Sequence, residues 1–569
     1  MKSFPFPIAC LALAFALVAP ARAADEARAR YHMIAAANPL AAEAGLEMLR
    51  AGGSAVDAAI AAQLVLTLVE PQSSGIGGGA FLIVFNEKNS ALKSYDGREI
   101  APASATPNMF LDASAKARSH FEMIPGGMSV GVPGTVALLA KAHRAHGRLA
   151  WAKLFQPAIK LAEHGFTVSP RLAGLLAAFP QMAVMPDMRD YFFKGAKTPL
   201  KAGERLRNRA LAQTMREIAE QGPDAFYKGP IADAIVRAVA NAPVNPAIMT
   251  REDLARYEAK ERAPVCGAYR VWRVCSVPPP SSGGVAVLQI LGMLEGFEPG
   301  QLAPASLSAV HLISEASRLA FADRAMYLGD PDFVSPPVEG LLDRGYLAGR
   351  AKRIDPARAM GVAEAGTPPV KRAELIRYAP DRFAALPGTS HLVAVDAHGQ
   401  AASMTMTIEF AFGSELMANG FLLNNELTDF SFEPARGGKP VANAPGPGKR
   451  PLSSMAPTIV FGPDGRFLLG TGSAGGPAII GYVAQTISGV LDGGLTMQQS
   501  IALPHHVNAN GATQLERGTA LVPLVPALSE MGHDVMLGRL ESGLQGIRRI
   551  PDGFEGGADP RREGVAVGD

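Results

Sequence analysis

Apolar and polar residues alternate along 390–396 and again along 401–408, a period of two that predicts a pair of strands. Ala397-His398-Gly399 separates them, and a three-residue loop with glycine at its left-handed position predicts a hairpin. This loop length places Thr389 opposite Thr407. Thr405 lies two residues along on the same face, so three hydroxyls converge where the first strand begins. Elsewhere the period is helical. Asn38-Pro39 opens a helix over 40–51 that ends at Gly52-Gly53, and Ser54 with Asp57 forms a capping box for a helix over 55–69. That second helix is apolar almost all round, which predicts burial.

A glycine-rich loop, Gln72-Ser73-Ser74-Gly75-Ile76-Gly77-Gly78-Gly79, leads into a strand at 80–85. Helical patterns dominate from 133 to 297, among them 138–146, 151–164 and 211–221, and Thr250 with Asp253 opens another. Pro278-Pro279-Pro280-Ser281-Ser282-Gly283-Gly284 precedes a helix at 285–294, and a long helix at 306–327 follows. Residues 329–387, rich in Pro, Gly, Ala and Arg, read as a mobile segment ahead of the hairpin. Strands at 420–423 and 466–469 follow, and the latter runs through Gly470-Thr471-Gly472-Ser473-Ala474-Gly475-Gly476 into a helix at 477–491.

With 569 residues, 48% hydrophobic and 19% charged, the chain can bury a large core. A net charge of +2 from scattered basic residues gives no stripe for nucleic acid and no anchor for an anionic membrane, so the expected substrate is small. Residues 1–23 join Lys2, an apolar run at 8–18 and Ala21-Arg22-Ala23, which reads as a secretory signal peptide cut after Ala23. That run is short of the roughly 20 residues a spanning helix needs, so an exported protein with no membrane anchor, periplasmic or secreted, is expected. Cys10 leaves with the signal. Cys266 and Cys275 sit at opposite positions of a hairpin, where they could form a disulfide or remain two buried thiols.

The chemistry gathers at the hairpin. Gly388 carries no side chain to block attack by the Thr389 hydroxyl on the carbonyl behind it, and a cut there would give Thr389 a free amine able to serve as its own base. An ordinary threonine-rich strand face is the alternative. Arg98, in a loop after a strand, has the side chain best suited to capture a carboxylate in two-pronged fashion, although lone loop arginines are usually solvated. Glu426 and Asp429, three apart, could hold an ammonium group, and Ser453 and Ser454 offer adjacent hydroxyls. His143 and His146 lack further ligands and read as surface residues rather than metal ligands. Residues 470–475 match a dinucleotide fingerprint, but no acidic residue ends a following strand. Adjacent glycine N–H groups at a helix start suit an oxyanion better, with a plain strand-to-helix turn as the alternative.

Together these residues resemble the γ-glutamyltransferase (γ-glutamyltranspeptidase) family of N-terminal-nucleophile hydrolases. The resemblance runs from about residue 35 to the end, through Gly52-Gly53-Ser54-Ala55-Val56-Asp57-Ala58-Ala59, the Arg98 loop, 278–284, Thr389-Ser390-His391, 424–430, 451–455, Gly475-Gly476 and Asp559-Pro560-Arg561. It implies an α+β fold, a four-layer αββα sandwich, cut before Thr389 into a large chain (24–388) and a small chain (389–569) that form one intertwined heterodimer. Thr389 would be nucleophile and base, with Thr407 bonded to its hydroxyl. Arg98, Ser453 and Ser454 would bind the substrate α-carboxylate, Glu426 and Asp429 its α-ammonium, and Gly475 and Gly476 the oxyanion; Thr405 and Glu409 join the substrate-binding group. No cofactor or metal is implied. Donors would be glutathione, glutamine and longer γ-glutamyl chains, and acceptors water, amino acids or peptides.

Glu409 stands where many relatives have Asn, and 432–441 is shorter than their lid loop, as in the lidless bacterial subgroup. An open cleft that admits longer γ-glutamyl chains is the expectation. Three other readings remain: a cephalosporin or glutaryl acylase of the same fold, a secreted binding protein without activity, and a nucleotide binder using 470–475.

Overall fold

The computed structural model describes residues 26–195, 197–370, 378–381 and 388–569. The expected signal peptide at 1–23 and the residues just before Gly388 lie outside these. Two seven-stranded antiparallel sheets form the middle of the molecule. The first runs, in spatial order, Val565–Gly568, Met33–Ala36, Ser390–Val395, Gln400–Thr407, Gly79–Asn86, Ala91–Gly97, Lys260–Arg262. The second runs Ala27–Ala29, Gly553–Ala558, Gln545–Ile550, Phe467–Gly472, Thr458–Phe461, Trp272–Ser276, Val265–Tyr269.

Both faces of the first sheet are dry, and Ser390–Val395 and Gln400–Thr407 are buried at every position. Leu392, Ala394, Leu82 and Met404 point to a core shared with the helices Pro39–Arg50 and Ala55–Val69. Val393, Val395, Phe81 and Ile83 point the other way, into a core shared with Ile459, Phe461, Leu469 and Ile547 of the second sheet. Gly283–Leu294 and Ala478–Leu491 cover that second sheet's outer side. Helix, sheet, sheet, helix is the expected αββα sandwich, and strands buried on both faces lose the polar alternation of a half-exposed sheet.

The hairpin register is the expected one, with Ser390 opposite Met406 and His391 opposite Thr405, closed by Gly399 at φ 79°. Ser54 and Asp57 form the expected capping box, and Asp57 also accepts from the N–H groups of Arg148 and Leu149. Cys266 and Cys275 face each other across Val265–Tyr269 and Trp272–Ser276 and are disulfide-bonded.

Some expectations need correction. The helix at 151–164 is two, Trp151–Leu154 and Gln156–His164, because Pro157 in the first turn of the second cannot donate a helical hydrogen bond. The described part of 329–387 contains the helices Val338–Leu341 and Arg344–Ala351 rather than one loose segment, and Arg350 on the latter pairs with buried Asp323. His143 and His146 are half-buried and hydrogen-bonded rather than freely solvated. The first bonds the Leu149 carbonyl at 2.8 Å and the second the Tyr95 hydroxyl at 2.7 Å.

The glycines of the 470–475 stretch have a packing reason. Gly470 and Gly472 lie within the strand Phe467–Gly472 and face the first sheet, where a Cβ would meet Val393 at 2.9 Å and collide with the His391 ring. They let the two sheets approach, which accounts for the fingerprint without a nucleotide.

Candidate active site

Thr389 immediately precedes the central strand Ser390–Val395 and is buried. Its hydroxyl lies 3.1 Å from the Thr407 hydroxyl, which in turn accepts the Glu409 N–H at 2.8 Å. Its own N–H donates to the Ser73 carbonyl at 3.2 Å and its carbonyl accepts from Arg562 at 2.9 Å. Held on both sides, Thr389 has φ 85°, a region a β-branched residue enters only under constraint, at a cost of about 1–3 kcal/mol. The strain sits at the peptide bond following Gly388.

The Gly388 carbonyl accepts from the Gly475 N–H at 3.2 Å. Gly475 and Gly476, at φ 127° and 57°, lie just before the helix Ala478–Leu491, with Pro477 one residue ahead of its first turn. The donor expected to face an oxyanion therefore faces the carbonyl that Thr389 would attack. Gly388 has a second reason to lack a side chain: a Cβ would collide with the Glu409 carbonyl oxygen. Gly388→Ala is expected to slow self-cleavage by more than about 100-fold, as a displaced reacting group does, read as uncut chain on a denaturing gel over time.

Beyond Thr389 lies a polar cavity whose lining includes Arg98, Arg324, Glu409, Glu426, Asp429 and Ser454. Arg98 is fully buried. It pairs with Glu426 and Asp429 and donates to the Pro451 and Leu452 carbonyls at 3.0 Å each, and Tyr257 bonds its own carbonyl at 2.7 Å. Burial works against its charge, but Glu426, Asp429 and Glu99 hold its pKa above the ordinary range. Glu426 is pushed up to about 7, first by burial and then by Asp429, against the pull of Arg98. Burial also raises Glu99 and Glu409 well above the carboxylate range, with Glu426 adding to both and Asp429 to Glu409.

Glu426 and Asp429 come together because a single 3-10 turn, Glu426–Asp429, spans them. Ser453 and Ser454 are placed by the Pro-Pro-Ser-Ser segment, since the Ser282 N–H donates to the Ser453 carbonyl at 2.8 Å and the Ser453 N–H to the Pro280 carbonyl at 2.9 Å. Thr405 does not line the cavity. It is fully buried one layer deeper, 2.8 Å from His391 Nδ1, and burial holds His391 down to about 3, hence neutral.

Sequence reasoning missed three polar residues here. Arg324, on the long helix Leu307–Tyr327, reaches Ser282 Oγ at 2.8 Å and Ser454 Oγ at 3.1 Å. Asn443 donates to the Asp429 carbonyl at 2.7 Å, and Asn425 bridges Glu409 and Thr428. No local motif marks the first two; Asn425 could have been found inside the Asn-Asn-Glu-Leu-Thr-Asp run. Outside the site, His311, Glu315 and His533 gather in the interior, but His311 Nδ1 and His533 Nε2 bond each other at 2.7 Å and Arg318 holds Glu315.

The model of the gamma-glutamyltranspeptidase family matches residues 41–569. The glutathione hydrolase proenzyme of Escherichia coli (strain K12) is 38% identical over 549 residues, covering 94% of this chain and 91% of that protein. That of Bacillus subtilis (strain 168) is 37% identical, covering 94% of this chain and 91% of that protein. Among solved structures, a cephalosporin acylase from Bacillus halodurans aligns with a TM-score of 0.84 at 29% identity, covering 100% of this chain and 99% of that one. The Helicobacter pylori gamma-glutamyltranspeptidase aligns at 37% identity with a TM-score of 0.55, covering 57% of this chain and 91% of that one. A threonine set behind a glycine at the head of a two-sheet sandwich, matched by relatives of this kind along nearly its whole length, makes the chain a member of the gamma-glutamyltranspeptidase family.

Proposed function

We propose that this chain is an exported γ-glutamyltransferase and glutathione hydrolase that matures by cutting itself between Gly388 and Thr389. The observation that carries the reading is the juxtaposition of Thr389, the Gly475 N–H on the Gly388 carbonyl, and an acid-rich cavity built on Arg98. In maturation the Thr389 hydroxyl attacks the Gly388 carbonyl and the C–N bond breaks. Water then opens the resulting ester, leaving a carboxylate on Gly388 and an amine on Thr389. The products are a large chain, 24–388, and a small chain, 389–569, that stay together through the central sheet, where Ser390–Val395 pairs with Met33–Ala36.

In turnover the freed amine takes the proton of the Thr389 hydroxyl as it attacks the γ-glutamyl carbonyl, and Gly475 and Gly476 donate to the oxyanion. Arg98, Ser453 and Ser454 hold the α-carboxylate, Glu426 and Asp429 the α-ammonium, and the acyl group passes on to water or to an amino acid or peptide. Glu409 closes the cavity beside Asn425. Residues 432–441 fold as a short hairpin, Ala435–Arg436 with Lys439–Pro440, and none of them lines the cavity, which supports an open cleft and longer γ-glutamyl donors. The leader at 1–23 supports export, and among the described residues no helix is long and apolar enough to cross a membrane.

The acylase of the same fold is the second reading, favoured by the alignment with the Bacillus halodurans protein. A glutaryl group has no α-ammonium for Glu426 and Asp429 to meet. The discriminating experiment is hydrolysis of a γ-glutamyl anilide against a glutaryl amide by the purified, matured protein. Turnover of the glutaryl amide alone would overturn the γ-glutamyl reading.

The raised Glu426 gives this reading a pH dependence. Its carboxylate must be ionised to hold an ammonium, and with its pKa at about 7 it is protonated and neutral below that pH. The inhibition constant of free glutamate is expected to rise toward about tenfold per unit as the pH falls below 7. Glu426→Gln should weaken glutamate at pH 8 and flatten that rise.

A further inference from the structure

The two sulfurs of the Cys266–Cys275 disulfide stand in unlike surroundings. Cys266 lies on Val265–Tyr269, the edge strand of the second sheet, and is exposed. Cys275, one strand further in, is fully buried. A thiolate that opens a disulfide must approach in line with the sulfur–sulfur bond. For Cys266 that line comes in from beyond the edge strand, whereas for Cys275 it comes from the next strand, where buried Ile459 stands opposite. A cavity of about 770 Å³ opens at Cys266, walled in part by Val265, Pro278, Pro279 and Val338, and its size is that of a small-molecule site.

The same strand runs on into the active site. Ser276, next to Cys275, donates its hydroxyl to the Pro457 carbonyl at 2.8 Å. Four residues later the Pro280 carbonyl and the Ser282 N–H bond Ser453, which lines the cavity beside Thr389. Pro278 and Pro279, walls of the cavity at Cys266, belong to this connecting segment.

We propose that Cys266 is a covalent modification site for small thiols, and that a thiol joined to it weakens donor binding. Only the second half rests on the γ-glutamyltransferase reading above. The incoming thiolate forms a bond to Cys266 Sγ, and the bond to Cys275 Sγ breaks with its electron pair leaving on Cys275, which takes up a proton. A second thiolate then attacks the sulfur of the first thiol, releasing their disulfide and leaving Cys266 reduced. Two electrons pass from two thiols to the protein. Exposed disulfides undergo this exchange more readily than buried structural ones. Glutathione is a thiol of this class, so on that reading the donor is also a reagent for Cys266.

The test begins with wild-type, matured protein held in native buffer with excess glutathione, quenched in acid and mapped by peptide mass. Loss of the Cys266–Cys275 cross-link is expected; a cross-link that opens only after denaturation overturns the site. Cys275→Ala leaves Cys266 as a lone thiol, to which glutathione disulfide should add one glutathione. Hydroxyethyl disulfide, which has no γ-glutamyl group to lose, should label it as well. Cys266→Ala, whose remaining thiol is buried, should label at less than about a tenth of that rate. Equal labelling of the two variants, with melting temperatures showing both folded, also overturns the site. The glutathione adduct of Cys275→Ala should have a KM for a γ-glutamyl anilide about tenfold above that of the unmodified variant, as the loss of one hydrogen bond to a charged group gives. An unchanged KM overturns the link to donor binding alone. Failure of wild type to hydrolyse the anilide overturns the γ-glutamyl reading and that link, while the labelling still decides the site.

Discussion

Thr389→Ala protein is expected to purify as one uncut chain and to hydrolyse a γ-glutamyl anilide at less than about a thousandth of the wild-type rate. The residue is asked to do two jobs with two atoms. Its hydroxyl supplies the electrons that cut the chain, and its nitrogen, released by the cut, supplies the base. Alanine removes the first and so never exposes the second. Thr389→Ser keeps both the hydroxyl and the nitrogen and loses only the methyl group that restricts χ1. It should cut slowly and then turn over. Intact mass of the purified proteins reads the cleavage, and anilide release reads the turnover.

Arg98→Met is expected to lower kcat/KM for a γ-glutamyl donor by about 10²-fold to 10³-fold and to cost about 3–5 kcal/mol of stability at pH 8. The second effect follows from the surroundings. Glu99 and Glu426 are fully buried and Asp429 partly so, and the Arg98 guanidinium is the cation they share. Without it the carboxylates must stay charged in a poorly solvated site or bind protons. Glu426, at about 7 with Arg98 present, moves higher when the cation is gone, so the penalty is largest above pH 7 and shrinks as the pH falls below it. Urea unfolding at pH 6 and pH 8 checks the sign. Arg98→Lys should recover only part of the loss, because one ammonium cannot face two carboxylates and two carbonyls in the planar arrangement that Arg98 spans.

The hairpin was legible because two local rules agree. Alternation marks the strands and Gly399 sets the loop length, so the facing of Thr389 and Thr407 needed nothing from the rest of the chain. Glu426 and Asp429 were legible as a pair for the same reason, since three-residue spacing puts them on one turn. Their burial was not. It depends on Arg98, more than 300 positions away in sequence, entering from the end of Ala91–Gly97.

Arg324 stayed hidden because the helix Leu307–Tyr327 is buried on almost every side, and a helix with polar residues all round gives no face that singles one out. The contact between Gly388 and the Glu409 carbonyl was likewise invisible. It arises from Glu409 at φ 75°, a backbone turn that a glutamate does not advertise. Gly470 and Gly472 mislead a motif search in the opposite way. Their spacing copies a nucleotide loop, yet it is the approach of Val393 and His391 that requires them.

The most direct test of the Thr389 chemistry is the mass of the small chain, 389–569, quenched in acid within the first turnover of a γ-glutamyl donor. A small chain heavier by one glutamyl group, with the added mass mapped to Thr389, is the expected result. A burst of product with no acyl group on Thr389, or with the group on any other residue, would contradict it.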